Sequence, residues 1–276
     1  SLLGWVMIAM AFSSPAAHAW VHAKTANGVA MRWYAAKIPY SIDESALQSQ
    51  GIGKEQMKTA VLAAFAPWQQ VQCQLCHDPD GVACPPMACP AHPLGLQAEF
   101  VGFQPQAVMG PGCAEGPGSA RECGAKSTGS GDWAVCTPVP NGNQVMFIED
   151  ASQWCQSSLT VAVTLVAANQ ATGQIVDADV LVNAVDKQFC VESCGKLDYD
   201  VQNTVGHEFG HLLGLDHSAV FEATMFAGSP PLETSKRDLH ADDTEGVCRL
   251  YRKAHDPAGC VRPEESSCQS APAAAS

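Results

Sequence analysis

The stretch His207-Glu208-Phe209-Gly210-His211-Leu212-Leu213-Gly214-Leu215-Asp216-His217 constrains this chain more than any other. On a helix, residues four apart stand one turn apart on nearly the same face, so His207 and His211 can converge on one point with Glu208 beside them. For His217 to return to that point the chain must leave the helix sharply. Gly214 permits this, because a residue without a Cβ takes unusual backbone angles without strain. One histidine by itself is usually an ordinary core or surface residue. Three in this register, with a glutamate between them, match the donor set of a catalytic zinc ion: three imidazoles as ligands and a fourth position for water. The spacing therefore predicts His207, His211 and His217 as metal ligands. Such an ion lowers the pKa of its water to about 7 and polarises a carbonyl. Glu208 is then the general base, taking the water proton and passing it to the leaving amine.

The flanking sequence predicts where this helix sits. Asp200 to Leu213 carries Val201, Val205, Phe209 and Leu212 on one stripe, with Asp198 or Asp200 as the cap and Gly214 as the stop. Lys54 to Trp68 is a second amphipathic helix, with Met57, Val61, Phe65 and Trp68 inward; Pro67 disfavours helix at Ala66, so a bend or an end is expected there. Arg32 to Asp43, Gln144 to Glu149, Leu159 to Ala167 and Gln174 to Asn183 read as strands, the last two joined by a turn at Thr172-Gly173. His240 to Arg252 reads as a last helix. Asp242, Asp243 and Glu245 suit its positive end, and Val247, Leu250 and Tyr251 form its buried side. Residues 72–142 hold seven cysteines among many glycines and prolines, with a possible strand at Leu96 to Phe103; they read as an insertion that disulfides must staple.

The motif together with Met225, in Ala223-Thr224-Met225-Phe226, resembles the signature of metzincin zinc metallopeptidases. Ser218 after the last histidine, and Ala227 where other branches carry a tyrosine, resemble the matrixin branch, the matrix metalloproteinases and their bacterial relatives. Gly173 to Asp179, Leu239 to Asp243 and Arg32-Trp33 with Ile38-Pro39-Tyr40 are similar to matrixin segments as well. The resemblance implies an α+β, zincin-like fold: a twisted mixed five-stranded sheet with an active-site helix and a C-terminal helix. It implies that Met225 packs beneath the metal, that an extended peptide pairs with an edge strand at Leu159 to Ala167, and that Phe226 to Pro231 walls the main specificity pocket. It further implies that a new amine at Trp20 pairs with Asp242 or Asp243. A structural calcium ion at Asp177 or Asp179 is compatible with it. The chain lacks a Pro-Arg-Cys-Gly segment, so latency through that motif is not expected.

Leu2 to Phe12 followed by Ala17-His18-Ala19 reads as a signal peptide over 1–19 whose start is truncated; the run is short of the about 20 residues a membrane span needs. The expected organisation is then a catalytic domain over 20–255 and a disordered tail over 256–276. Thirteen cysteines agree with export and disulfide bonding, with the extracellular space as the expected destination and the periplasm as the alternative, and their odd number leaves at least one thiol free or paired between chains. Cys73 and Cys76 with Cys84 and Cys89 read as disulfide-forming rather than as a zinc ribbon, and Cys190 and Cys194 as a clamp on the loop before the active helix. The net charge of -13 excludes nucleic acid and anionic membranes as partners. The expected partner is an extended peptide or protein, taken by a monomer. The rival reading is a zinc-bound binding or adhesion module that no longer turns over peptide.

Overall fold

In the computed structural model, which describes residues 19–44, 47, 49–73, 91–105, 133–136 and 142–255, the apolar runs form a mixed sheet with helices on its inner face. In chain order the elements are β1 (Lys37–Asp43), α1 (Lys54–Gln69), β2 (Gln97–Gln104), β3 (Trp133–Cys136), β4 (Asn143–Ile148), β5 (Ala162–Ala168), β6 (Ile175–Asn183), α2 (Val201–Leu212) and α3 (Ala241–His255). The sheet order is β2-β1-β4-β6-β5-β3, and β5 against β6 is its antiparallel pair. Parallel pairing demands cover on both faces, and β4 is accordingly buried at every residue. Its inward Val145 and Phe147 join the main core with Tyr40, Phe65 and Phe209, while Met146 and Ile148 meet Trp154, Val163 and Leu181 on the outer face.

The first strand is shorter than its sequence suggests. Arg32 makes only an isolated bridge to Gln174, and regular pairing begins at Lys37. Helix α1 runs through Pro67 to Gln69 instead of ending at Ala66. A proline nitrogen cannot bond the carbonyl four residues back, here that of Ala63, and the Gln202 amide of α2 donates to it at 3.4 Å. Tertiary contact thus satisfies the group that the proline leaves over.

The stretch expected to be an insertion supplies two strands of the same sheet, β2 and β3. Strand β3 alters the edge: Trp133 to Cys136 pair in parallel with Thr164 to Ala167. The expected edge strand, Leu159 to Ala167, is therefore covered over its second half, and among the described residues no strand pairs with that edge before Thr164. Four residues among glycines and prolines are too few for periodicity to reveal such a strand.

Cys73 and Cys248 are bonded across a sequence separation of 175, tying the end of α1 to α3, and Cys190 with Cys194 closes the loop before α2. Cys155 is also disulfide-bonded. Cys76, Cys84 and Cys89 lie outside the described residues, as do the expected leader up to residue 18 and the tail from 256. Removing the long bridge by Cys73→Ser with Cys248→Ser should lower the unfolding free energy by about 3–5 kcal/mol, because so large a loop strongly restricts the unfolded chain. Denaturant midpoints of both proteins, without reductant, check this; equal midpoints would contradict it.

Candidate metal centre

Helix α2 is buried along nearly its whole length, and both of its ends are secured by distant residues. At its start the Asp200 carboxylate accepts from Asn203 N at 2.7 Å, the capping role open between Asp198 and Asp200 in the sequence. Arg237 also donates to both Asp200 oxygens, and Asp198 instead accepts from Gly195 N. At the far end the Trp33 indole donates to the Leu212 carbonyl at 2.8 Å and the Tyr251 hydroxyl to Leu213 at 2.7 Å. These are carbonyls a helix terminus leaves without internal partners.

Gly214 follows at φ +98. Its carbonyl accepts from Ala23 N, and Leu215–Asp216 pair with Val21–His22, so the N-terminal segment pins the turn. The chain then returns His217 to the helix. His207 and His211 place their Nε2 atoms 3.2 Å apart, and His207 and His217 theirs 3.3 Å apart. Ligand nitrogens about 2.1 Å from a tetrahedral zinc ion stand about 3.4 Å from one another. A carbonyl can only accept, so the Nδ1 of His207 donates to Thr224 O at 2.6 Å and that of His211 to Leu215 O at 2.9 Å. This selects the tautomer whose Nε2 lone pairs point at the common centre, an arrangement that a cation there relieves. Burial, with Lys236 and the two neighbouring imidazoles adding, holds the His207 pKa well below its ordinary value, which favours the neutral, ligating form. The residues present therefore fit a zinc ion.

Met225 packs under this centre. A Cβ added at Gly210 would fall 2.1 Å from its sulfur, so the glycine makes room for the methionine. Ser218 N donates to Met225 O at 2.8 Å. The Asp243 carboxylate accepts from Thr224, Met225 and His240 backbone N–H groups. The sequence offers Asp243 as a helix-start acid and, by resemblance, as one of two partners for an amine at Trp20, and nothing in its spacing reveals that it clamps this turn. Asp242 accepts from Ser218 Oγ and from the backbone N–H groups of Ala19 and Trp20.

Glu208 is 2% exposed, and its carboxylate accepts from Thr164 Oγ1 at 2.6 Å. Thr164 is fully buried on β5, and the sequence gives no sign of its role, because a threonine in a strand reads as ordinary strand composition. A cavity of about 300 Å³ opens beside His207 and Glu208. Leu159 to Ala162 form one wall and Ala227 to Ser229 the other, the latter inside the segment expected to wall the pocket. Thr204 and Lys236, both buried, also line it.

Asp177 and Asp179, the calcium candidates, lie on β6 apart from this centre. Asp179 accepts from Gln144 N at 2.9 Å, and burial, with Asp177 adding, pushes its pKa up to about 7. Among the described residues the groups of three metal-capable side chains are the histidine triad and Cys190, Cys194 and Asp200, of which the two cysteines are joined in a disulfide.

Residues 137–252 match the family model described as Matrixin. The chain is 43% identical over 53 residues to Metalloendoproteinase 1 of Glycine max (19% of this chain, 17% of the relative). It is 48% identical over 54 residues to Metalloendoproteinase 2-MMP of Arabidopsis thaliana (19% and 14%). It is 41% identical over 69 residues to Matrix metalloproteinase-9 of Canis lupus familiaris (23% and 9%). The chain thus spans less than a fifth of the length of these curated relatives.

Proposed function

We propose, from the match of residues 137–252 to the Matrixin family model, that the chain is an exported zinc-dependent endopeptidase, with His207, His211 and His217 as ligands and Glu208 as general base. The observation that carries this reading is the convergence of three imidazole Nε2 atoms at 3.2 and 3.3 Å beside a buried carboxylate that opens onto a cleft.

When bound, zinc supplies a water of lowered pKa and polarises the scissile carbonyl. The remaining steps belong to the chain. The open strand edge at Leu159 to Ala162 binds the backbone of an extended peptide, which β3 confines to the part of the edge ahead of Thr164. Glu208 takes a proton on its carboxylate and delivers it to the departing nitrogen. Thr164 orients that carboxylate by its hydroxyl, and the turn around Met225, held by Asp243, keeps His207 in place through Thr224. Cleavage after Ala19 would release an amine at Trp20, beside Asp242. The disulfides support an oxidising destination, and no helix among the described residues is long and apolar enough to cross a membrane.

The test is hydrolysis of quenched peptides by the purified protein. Cleavage should fall at least about a hundredfold on chelation and return with added zinc, and the active chain should begin at Trp20 by mass spectrometry. Cleavage indifferent to chelation would overturn the zinc mechanism. A chain that binds one zinc ion and cleaves nothing would be the binding module instead.

A further inference from the structure

We propose that the mouth of the cleft carries a second substrate subsite, an apolar patch of Leu197 and Leu232 beside Leu159 and Tyr199. It takes a leucine, isoleucine or phenylalanine side chain two to four residues from the bond that is cut. The inference rests on the peptidase reading and names its substrate class.

Among the described residues Leu159, at 83%, and Leu197, at 77%, are the most exposed large apolar side chains. Single exposed leucines are ordinary on a protein surface. These are grouped at the site. Leu159 and Tyr199 both line the cavity beside His207 and Glu208. Leu197 stands two residues before Tyr199. Leu232, also exposed, donates its N–H at 2.9 Å to the carbonyl of Asp198, which lies between those two in the chain. The apolar surface thus adjoins the cavity lining.

The backbone beneath the patch is fixed at several points. The Cys190–Cys194 disulfide closes the loop that leads to Leu197, and Gly195 N donates to Asp198 Oδ2 at 2.6 Å. Phe189 and Cys190 pair in parallel with Tyr199 and Asp200. Leu232 is the third residue of a turn from Pro230 to Glu233, closed by Glu233 N on Pro230 O at 3.3 Å, and its φ is +64. A positive φ at this place in a turn favours glycine, and Leu232 is the one non-glycine with a positive φ among the described residues. A leucine there costs stability and leaves its side chain in water, so folding does not account for it. Strain of this kind collects where a binding surface has to be held. A rigid patch loses little freedom on binding, and an apolar side chain that covers it removes both surfaces from water.

The geometry also sets the occupant. A peptide along Leu159 to Ala162 lies over a cavity of about 300 Å³. A compact space of that volume is roughly 7 Å across, and an extended chain advances about 3.3 Å per residue, so two residues carry the peptide past the rim. The side chains that then meet the leucines belong to the substrate itself, outside the one that enters the cavity.

The experiment is a peptide panel varied at the second, third and fourth residues on each side of the scissile bond, with Leu, Ile, Phe, Ser and Glu in turn. It is cleaved by the zinc-loaded full chain and by Leu197→Ser and Leu232→Gly. At one of these positions the wild type should favour the apolar residues over Ser by about tenfold in kcat/KM, mostly through KM. Both variants should bring that ratio close to one. Leu232→Gly should fold as stably as the wild type, because glycine takes a positive φ freely, which offsets the freedom it adds to the unfolded chain. A wild type that cleaves with no apolar preference at any of these positions overturns the assignment, whatever the variants do. A preference retained in both variants does the same and leaves the patch to a second copy of the chain or to another partner. Failure of the wild type to cleave any peptide, with zinc bound, overturns the peptidase reading itself and this inference with it.

Discussion

Replacing Glu208 by Gln is expected to lower kcat for peptide hydrolysis by about 10³-fold or more, while zinc stays bound and the fold stays intact. The expectation follows from what the two side chains share and what separates them. Gln has the shape of Glu, and its amide oxygen can still accept from Thr164 Oγ1, the bond that holds the carboxylate at 2.6 Å. The three imidazoles and their carbonyl partners, Thr224 and Leu215, are untouched, so the donors of the metal centre persist. An amide, however, cannot take a proton near neutral pH, and the transfer from water to leaving nitrogen has no carrier. The measurement is kcat alongside zinc stoichiometry and the thermal midpoint. If the variant keeps more than about a tenth of wild-type activity with full zinc, Glu208 is not the base.

The largest structural effect is expected at Gly214. Gly214→Ala should lower stability by at least about 3 kcal/mol and weaken zinc binding together with it. Two independent penalties act at this residue. Its φ of +98 is a backbone conformation that a side chain disfavours. The added Cβ would also stand 2.1 Å from the Met31 carbonyl oxygen and 3.1 Å from Leu250 Cδ2. The first of these neighbours is backbone, held in turn by the bond from Met31 N to Ala23 O at 2.8 Å, so it cannot yield cheaply. Relief requires the turn to open, and the turn is what returns His217 to the other two histidines. For a domain of this size the loss corresponds to a fall in Tm of roughly 6–12 °C. A variant melting within about 2 °C of wild type and binding zinc as tightly would show that the turn tolerates a side chain, contrary to this geometry.

Much of the centre is readable without the fold, for a physical reason. Helical geometry relates residues four apart, so two histidines and the intervening glutamate carry their mutual arrangement within five letters, and Gly214 marks the one place the chain can turn. The same short range makes α1, α2, β4 and β6 legible, since each is long enough to show its own periodicity. Pro67 left a bend or an end open at Ala66, and the helix continues because the Ala63 carbonyl is met by Gln202, far along the chain.

Everything that supports the site from a distance was decided by tertiary structure. Thr164 meets Glu208, Asp243 clamps the turn around Met225, and Cys73 finds Cys248, through separations in sequence that leave no local trace. The edge of the sheet reads as open at Leu159 to Ala167 because a strand shows its own alternation but never who pairs with it; β3 takes the second half. Lys236 is buried against Asn203 of α2 and the Phe226 carbonyl, surroundings that only the fold supplies. The local spacing of side chains thus specified which groups could hold a metal and move a proton. Long-range packing, which no window of sequence contains, decided how those groups are held and how much of the strand edge is covered.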